Sequence, residues 1–95
     1  MVKHVVLFQI KPEFKPEIPQ LVENFLAMRG KIEGLVDLQS GADFLASARS
    51  YDMALICTFT SRAALEAYQD HPVHVAVKTR IHAVRSGSVA CDFEF

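Results

Sequence analysis

The 95-residue chain is long enough for one domain over residues 1–95 and too short for a second core, because domains commonly contain about 100 to 150 residues. Its net charge of −1 and its lack of basic runs exclude the electrostatic surface that nucleic acid or an anionic membrane needs, so small molecules or proteins are the expected partners. Hydrophobic residues make up 51% of so small a chain, and we expect part of this apolar surface to contact another subunit.

The first half of the chain is predicted to contain two strands separated by a helix. Val2 to Ile10 alternates with period two, which places His4, Val6, Phe8 and Ile10 on one face of a strand and Lys3, Val5, Leu7 and Gln9 on the other. From Pro16, apolar residues at helical spacing predict a helix of about 15 residues that ends before Gly30 or Gly34. Alternation returns from Leu35 to about Asp43 as a second strand, and Phe44 to Ser50 is predicted to be a loop.

The second half is predicted to contain a strand, two helices and a last strand. Tyr51 to Thr60 has the strongest strand pattern. Thr60 or Ser61 can cap the next helix, whose inward residues are Ala64, Leu65 and Tyr68. Pro72 interrupts that helix, and since proline is tolerated in a first turn, a further helix is expected with His71 as its cap. Its inward stripe is His74, Val77, Ile81 and Val84, and its outer stripe is His71, Val75, Lys78 and His82. In the last strand, which begins near Gly87, Val89, Cys91, Phe93 and Phe95 alternate with Ser88, Ala90, Asp92 and Glu94.

This order predicts an α+β fold of the ferredoxin-like βαββαβ type, an antiparallel sheet with its helices on one face. The other face should then be polar, but Val5 and Leu7 on the first strand and Ala54 and Ile56 on the third make it apolar. Pairing with a second copy is the simplest way to bury it, which predicts a homodimer with these four residues at the seam. The alternative is local covering by loops or by the C-terminal residues.

The sequence shows no sign of export, membrane insertion or cofactor binding. Its apolar runs are far shorter than the roughly 20 residues that span a bilayer, and MVKHVV leads directly into a strand pattern, so a cytoplasmic location without membrane contact is expected. Cys57 and Cys91 fit neither a disulfide framework nor a zinc knuckle and are predicted to be reduced core thiols. No cofactor or metal is expected, because the four histidines lack ligand spacing and no nucleotide-binding motif occurs.

Three stretches of sequence resemble the stress-responsive α/β-barrel (Dabb) domain family. They are VKHVVLF at the start, YDMALICTF in the third predicted strand, and ALEAYQDHPVHVAV, of which AYQDHPVH is the most specific part. The resemblance covers essentially the whole chain. It implies a ferredoxin-like monomer whose sheet stacks against that of a partner to close a dimeric α+β barrel, and it implies no single chemistry.

One branch that the sequence is similar to is the plant polyketide cyclase, which closes a linear polyketide by an aldol-type condensation without a cofactor. The tyrosine and histidine of its helical motif match Tyr68 and His74, and its first-strand histidine matches His4. Where a further cyclase histidine aligns near the third strand, this chain has Met53, which weakens the transfer of the substrate.

Tyr68, His74 and His4 are therefore the candidate catalytic residues. In a first helical turn, the positive end of the helix dipole keeps the His74 imidazole neutral, and a neutral imidazole can remove an acidic α-proton. Tyr68 can donate a hydrogen bond to a carbonyl oxygen as enolate charge develops, and His4 can orient either group or bind substrate. The alternatives are structural: a cap or a core histidine bonded to a backbone carbonyl for His74, and core residues for Tyr68 and His4.

Two functions from different classes follow. The first is a homodimeric stress-related protein with a small hydrophobic-ligand pocket and no assigned molecular activity. The second is a cofactor-independent polyketide cyclase-like or lyase enzyme that acts on a polyketide-like ligand, with His74 as general base and Tyr68 as hydrogen-bond donor. A cavity reached by both side chains favours the enzyme, and a packed interior with His74 bonded to backbone argues against it.

Overall fold

The computed structural model describes all residues, Met1–Phe95, as four strands and four helical segments. In chain order they are β1 (Val2–Ile10), a 3-10 helix (Pro12–Glu17), α1 (Ile18–Leu26), β2 (Leu35–Ala42), β3 (Met53–Phe59), α2 (Arg62–Gln69), α3 (Pro72–Val84) and β4 (Arg85–Glu94). The strands form one antiparallel sheet in the order β2-β3-β1-β4. The α+β ferredoxin-like fold predicted from the sequence is confirmed.

The core lies between the helices and one face of the sheet. Residues directly opposite each other in an antiparallel pair share a face, and the register places His4 opposite Cys57 and Phe8 opposite Met53. All four are buried, as are Tyr68 on α2 and Ile81 on α3. The inward stripe of α3 is as predicted, because His74, Ile81 and Val84 are buried and Val77 packs against the core.

The opposite face of the sheet carries no helix, and we call it the open face. Val5 lies opposite Ile56 on β3 and Cys91 on β4, and Leu7 lies opposite Ala54 and Val89. The apolar residues of the open face are therefore Val5, Leu7, Ala54, Ile56, Val89, Cys91 and Phe93, and Lys3 and Thr58 lie at one end of it. The four predicted seam residues share it and are only partly buried, so loops and the C-terminal residues do not cover them fully. At one end of the face, Lys3 bonds to Thr58 and packs against Phe95. Cys57 is buried as predicted, but Cys91 is exposed, so the core prediction is wrong for Cys91; β4 turns its thiol away from the helices.

β4 is the outer strand beside β1 and is accessible on both sides. On the open face it carries Val89 and Phe93, each 47% exposed. On the helix side it carries Ser88, Ala90, Asp92 and Glu94. Its apolar residues thus lie on the side away from the helices of the same chain.

The helices differ from the prediction mainly before β2. The predicted helix of about 15 residues is wrong in length: α1 has nine residues, and a 3-10 helix precedes it. Proline supplies no backbone N–H, and Pro16 falls inside that 3-10 helix. The two later caps are as predicted, since Ser61 Oγ accepts from Ala64 N–H and His71 Nδ1 accepts from Val73 N–H, each at 3.1 Å.

None of the helices is both long and apolar enough to cross a membrane.

Candidate functional site

The break between α2 and α3 brings two of the predicted site residues into contact. Tyr68 lies in the last turn of α2 and His74 in the first turn of α3, on either side of the His71–Pro72 cap. Their rings stack, with centroids 3.8 Å apart and an interplanar angle of 21°. Both are buried, with 1% and 6% of their surface exposed. Because proline stops the first helix and starts the second, the sequence AYQDHPVH folds the two side chains onto each other.

The His74 ring is held in one tautomer by the backbone. Its Nδ1 lies 3.0 Å from the carbonyl oxygen of Tyr68 and 3.3 Å from that of Gln69. A carbonyl only accepts, so Nδ1 carries the proton and Nε2 keeps a free lone pair. Burial lowers the pKa of His74; the Gln69 and Tyr68 carbonyls oppose this shift, while the charges of Lys78 and His4 add to it. The ring is thus a neutral base that is also bonded to backbone, so both sequence interpretations describe part of its environment.

Tyr68 has an unusual hydroxyl group. Its oxygen is the only buried side-chain nitrogen or oxygen atom in the chain that has no hydrogen-bond partner. The Cys57 thiol lies nearby, but a thiol is a weak partner and the pair does not reach hydrogen-bonding geometry. Burial raises the pKa of Tyr68 well above its usual range and raises that of Cys57 to about 12. Both groups therefore stay protonated near neutral pH, and the phenol remains a donor without an acceptor.

His4 completes the cluster from the sheet. Its ring meets the edge of Tyr68 at a centroid distance of 6.2 Å, and 8% of the residue is exposed. Its Nδ1 is hydrogen-bonded to the carboxylate of Asp92 on β4. The sequence analysis did not single out Asp92, which lies 88 positions away; only the β1–β4 register, which sets the two residues opposite each other, reveals the pair. The carboxylate fixes the orientation of the imidazole.

The three candidate residues are together but enclosed. None of the five main surface clefts is lined by His4, Tyr68 or His74. One cleft of about 360 Å³ between α2 and β4 includes Asp92 in its wall, so it reaches the cluster from outside. Met53, at the position where the cyclase histidine aligns, is 2% exposed and belongs to the core. The packed interior and the bonds of His74 to backbone carbonyls are the arrangement that argues against the enzyme, and the site needs a local opening before it can admit a ligand.

The chain contains no group of three or more His, Cys, Asp or Glu side chains arranged to hold a metal ion. The chemistry available at the cluster is that of a neutral imidazole, a phenol donor and a carboxylate-oriented imidazole. These groups can remove a proton next to a carbonyl and stabilise the oxyanion that forms, without a cofactor.

Comparison with known proteins gives one family and several related structures. The profile of the stress-responsive A/B barrel domain matches residues 2–95. A dimeric ferredoxin-like protein of unknown function from Thermobifida fusca YX is 27% identical, with a TM-score of 0.90 over 99% of this chain and 90% of that one. A dimeric protein of unknown function from Bacteroides fragilis NCTC 9343 is 25% identical, with a TM-score of 0.88 over 99% and 95%.

A hydroxynitrile lyase from Passiflora edulis, at 16% identity, has a TM-score of 0.82 over 97% of this chain and 90% of that one, which shows the shared fold alone. No curated protein matches the sequence significantly.

Proposed function

Because the chain belongs to the stress-responsive A/B barrel domain family, we propose that it works as a stress-related homodimer in which the open faces of two copies pack together into one barrel. Each copy keeps a small hydrophobic-ligand site at Tyr68, His74 and His4. The observation that carries the homodimer is the distribution of side chains on β4, where Val89, Cys91 and Phe93 all lie on the open face.

The two sides of β4 distinguish a dimer from a monomer. In a chain that folds alone, the apolar side of a strand faces the helices of that chain. On β4 the helix side carries Asp92 and Glu94, while Val89 and Phe93 lie on the open face at 47% exposure. An apolar surface continuous across β3, β1 and β4 is typical of a contact surface. The dimeric relatives from Thermobifida fusca and Bacteroides fragilis support the same assembly.

A charge at the centre of the open face tests the homodimer. Ile56 lies opposite Val5 on β1 and Gln39 on β2, and it is only partly buried in one chain, so Ile56→Glu should leave the monomer folded. The carboxylate would be buried without a partner in the dimer, so the dimer should dissociate. Light scattering on the wild type should give twice the 10.6 kDa of one chain, and the variant should give 10.6 kDa.

Val75→Glu is the matched control, because it places the same charge on an exposed apolar position of α3. It should remain dimeric. A wild-type mass of 10.6 kDa at micromolar concentration would contradict the homodimer.

A specific observation also favours an enzyme as the second candidate: the Tyr68 ring, whose hydroxyl has no hydrogen-bond partner, stacks on the neutral imidazole of His74. In a cyclase-like or lyase reaction, Nε2 of His74 takes the α-proton of a carbonyl substrate, and the electron pair becomes an enolate. The Tyr68 hydroxyl donates to the enolate oxygen, and the enolate carbon attacks a second carbonyl of the same molecule. The alkoxide formed then takes the proton back from His74. His4, oriented by Asp92, holds the substrate.

Thermal-shift measurements with an aromatic β-diketone such as benzoylacetone test the ligand site. A ligand at 100 times its Kd stabilises the folded protein by about 2.7 kcal/mol. The wild type should be stabilised, and His74→Ala and Tyr68→Phe should lose the stabilisation. His82→Ala, on the exposed outer stripe of α3, should keep it. The absence of a thermal shift with every aromatic or polyketide-like compound would argue against the ligand site. The homodimer would still be supported by the mass measured by light scattering.

A further inference from the structure

The loop between β2 and β3 has an apolar tip, Phe44 and Leu45, that the fold of one chain does not bury. Phe44 and Leu45 are 95% and 69% exposed, the highest values among the large hydrophobic residues of the chain. Two adjacent side chains of this kind, displayed to solvent on a small protein, are typical of a contact surface.

Local bonds hold this loop in one shape. At its base, Asp43 N–H donates to the carbonyl oxygen of Asp52 at 2.9 Å. The Asp43 carboxylate accepts from Ala46 N–H at 2.8 Å, and Ala46 adopts a φ of 51°, which a non-glycine residue keeps only when its surroundings impose it. The hydroxyl oxygens of Ser47 and Ser50 lie 2.9 Å apart and are joined by a hydrogen bond. The tip is therefore preorganised, which reduces the entropy lost when it binds.

A groove beside the base of the same loop is continuous with the open face. It has a volume of about 300 Å³, and its lining includes Leu7, Gly41 and Ala54 together with Asp43, Arg49 and Tyr51. Leu7 and Ala54 belong to the surface that the proposed homodimer buries. Arg49 makes no side-chain hydrogen bond or ion pair within the chain, and the Asp43 carboxylate, which lines the same groove, accepts from Ala46 N–H instead.

We propose that the Phe44–Leu45 tip of one copy inserts into this groove of a second copy, and that the tip of the second copy inserts into the groove of the first. The proposal rests on the homodimer. A two-fold interface is self-complementary, so a chain that carries both a tip and a groove can exchange them reciprocally. The charges agree with this exchange, because Asp43 directly precedes Phe44 and lines the groove with Arg49, so that two crossed loops would bring the carboxylate of each copy to the unpaired Arg49 of the other.

The first experiment measures the dissociation constant of the dimer by sedimentation after the double substitution Phe44→Ser and Leu45→Ser. Both side chains are exposed in one chain, so the fold should not change. Loss of two inserted apolar anchors should raise the Kd about 10- to 100-fold. Val75→Ser, on the exposed surface of α3, should leave it unchanged.

The second experiment tests the position of the tip by disulfide formation. Chains with Leu45→Cys are mixed with chains with Ala54→Cys, both carrying Cys91→Ser because that thiol is exposed. On mild oxidation the mixture should give a non-reducing band at twice the mass of one chain, and each chain alone should not. Gln20→Cys, on the exposed face of α1, should not cross-link with either.

The outcomes separate this inference from the homodimer. A wild-type dimer whose Kd is unchanged by the tip substitutions, with no cross-link to Ala54→Cys, overturns the inserted tip and leaves the homodimer in place. A monomeric wild type overturns both. A raised Kd together with the cross-link supports the exchange.

Discussion

Tyr68 keeps a hydroxyl group in the core although no neighbour accepts its proton. Leaving a buried polar group without a partner costs about 1 to 3 kcal/mol. We therefore expect Tyr68→Phe to raise the free energy of unfolding by about 1 kcal/mol, as measured by urea denaturation. Tyr51→Phe, at a half-buried position just before β3, should change it little. A clear loss of stability in Tyr68→Phe would show that the hydroxyl has a partner in solution.

His74 makes stability depend on pH because burial lowers the pKa of its folded ring. In the unfolded chain the ring titrates near its ordinary value of about 6.5. As the pH falls below that value, the unfolded chain binds a proton that the folded chain does not, so the free energy of unfolding decreases. The decrease ends once the pH has passed the lower pKa of the folded ring. Stability from this source is thus present above about pH 6.5 and is lost on acidification.

Urea denaturation between pH 7.5 and 5 measures this effect. His74→Gln should make the free energy of unfolding depend less on pH, since the group that takes up the proton is gone. His82→Gln should remove less of the slope, because this ring is exposed, although partial burial and the charges of Arg85 and Lys78 lower its pKa as well. Equal slopes for wild type and His74→Gln would contradict the assignment.

Among the site residues, the sequence predicted the two on the helices and missed Asp92, the partner of His4 on the sheet. Tyr68 and His74 are six positions apart, so helical spacing and Pro72 were enough to place both inward. Asp92 was assigned only to a face of the last strand, because its contact with His4 depends on a strand register that spans the whole chain. Whether the cluster is open or closed depends on packing, which no local pattern contains.

α2 lies very close to the turn before β2. Gly34 has a φ of +85°, and a Cβ atom at this position would lie 2.6 Å from Cβ of Ala64 on α2. Gly34→Ala should cost about 2 to 4 kcal/mol, from the left-handed backbone and from the clash. Gly30→Ala is the matched control, since Gly30 has a φ of +74° with nothing within 4 Å, and it should cost only about 1 to 2 kcal/mol. Equal losses in urea denaturation would mean that α2 shifts away.

The elements were predicted best where one signal dominates. Alternation defined β1 from Val2 to Ile10, and the His71–Pro72 pair defined the start of α3. The segment before β2 was predicted poorly because Pro12, Pro16 and Pro19 favour different local structures within eight residues, and tertiary packing decides among them. Cys91 was misplaced because an apolar residue in a strand pattern does not reveal which neighbour covers it.

For the whole molecule, the proposed homodimer predicts that thermal stability depends on protein concentration. A folded dimer that unfolds to monomers is stabilised by mass action, so the midpoint temperature should rise roughly 2 to 4 °C for each tenfold increase in concentration. Ile56→Glu should have a midpoint that does not depend on concentration. Calorimetry from 5 to 500 μM measures both, and a constant wild-type midpoint would argue against dissociation on unfolding.

The overall architecture was predictable because strand and helix periods, proline positions and an apolar second face agree with one another. The sequence also indicated which sheet face would remain uncovered, through Val5, Leu7, Ala54 and Ile56. The placement of the apolar residues of β4 on the open face was not predicted, because the register of β4 against β1 determines it.

The pairing of β4 with β1 alone also sets the order in which the protein can be assembled during synthesis. β1 leaves the ribosome first and can pair with β3, but its other edge stays unpaired until residues 85–94 have emerged. An unpaired strand edge is a template for aggregation, so this interval is the vulnerable period for the nascent chain. The bond between His4 and Asp92 forms in the same late step. A chaperone that shields the free edge of β1 would therefore protect both the sheet and the candidate site until translation has passed β4.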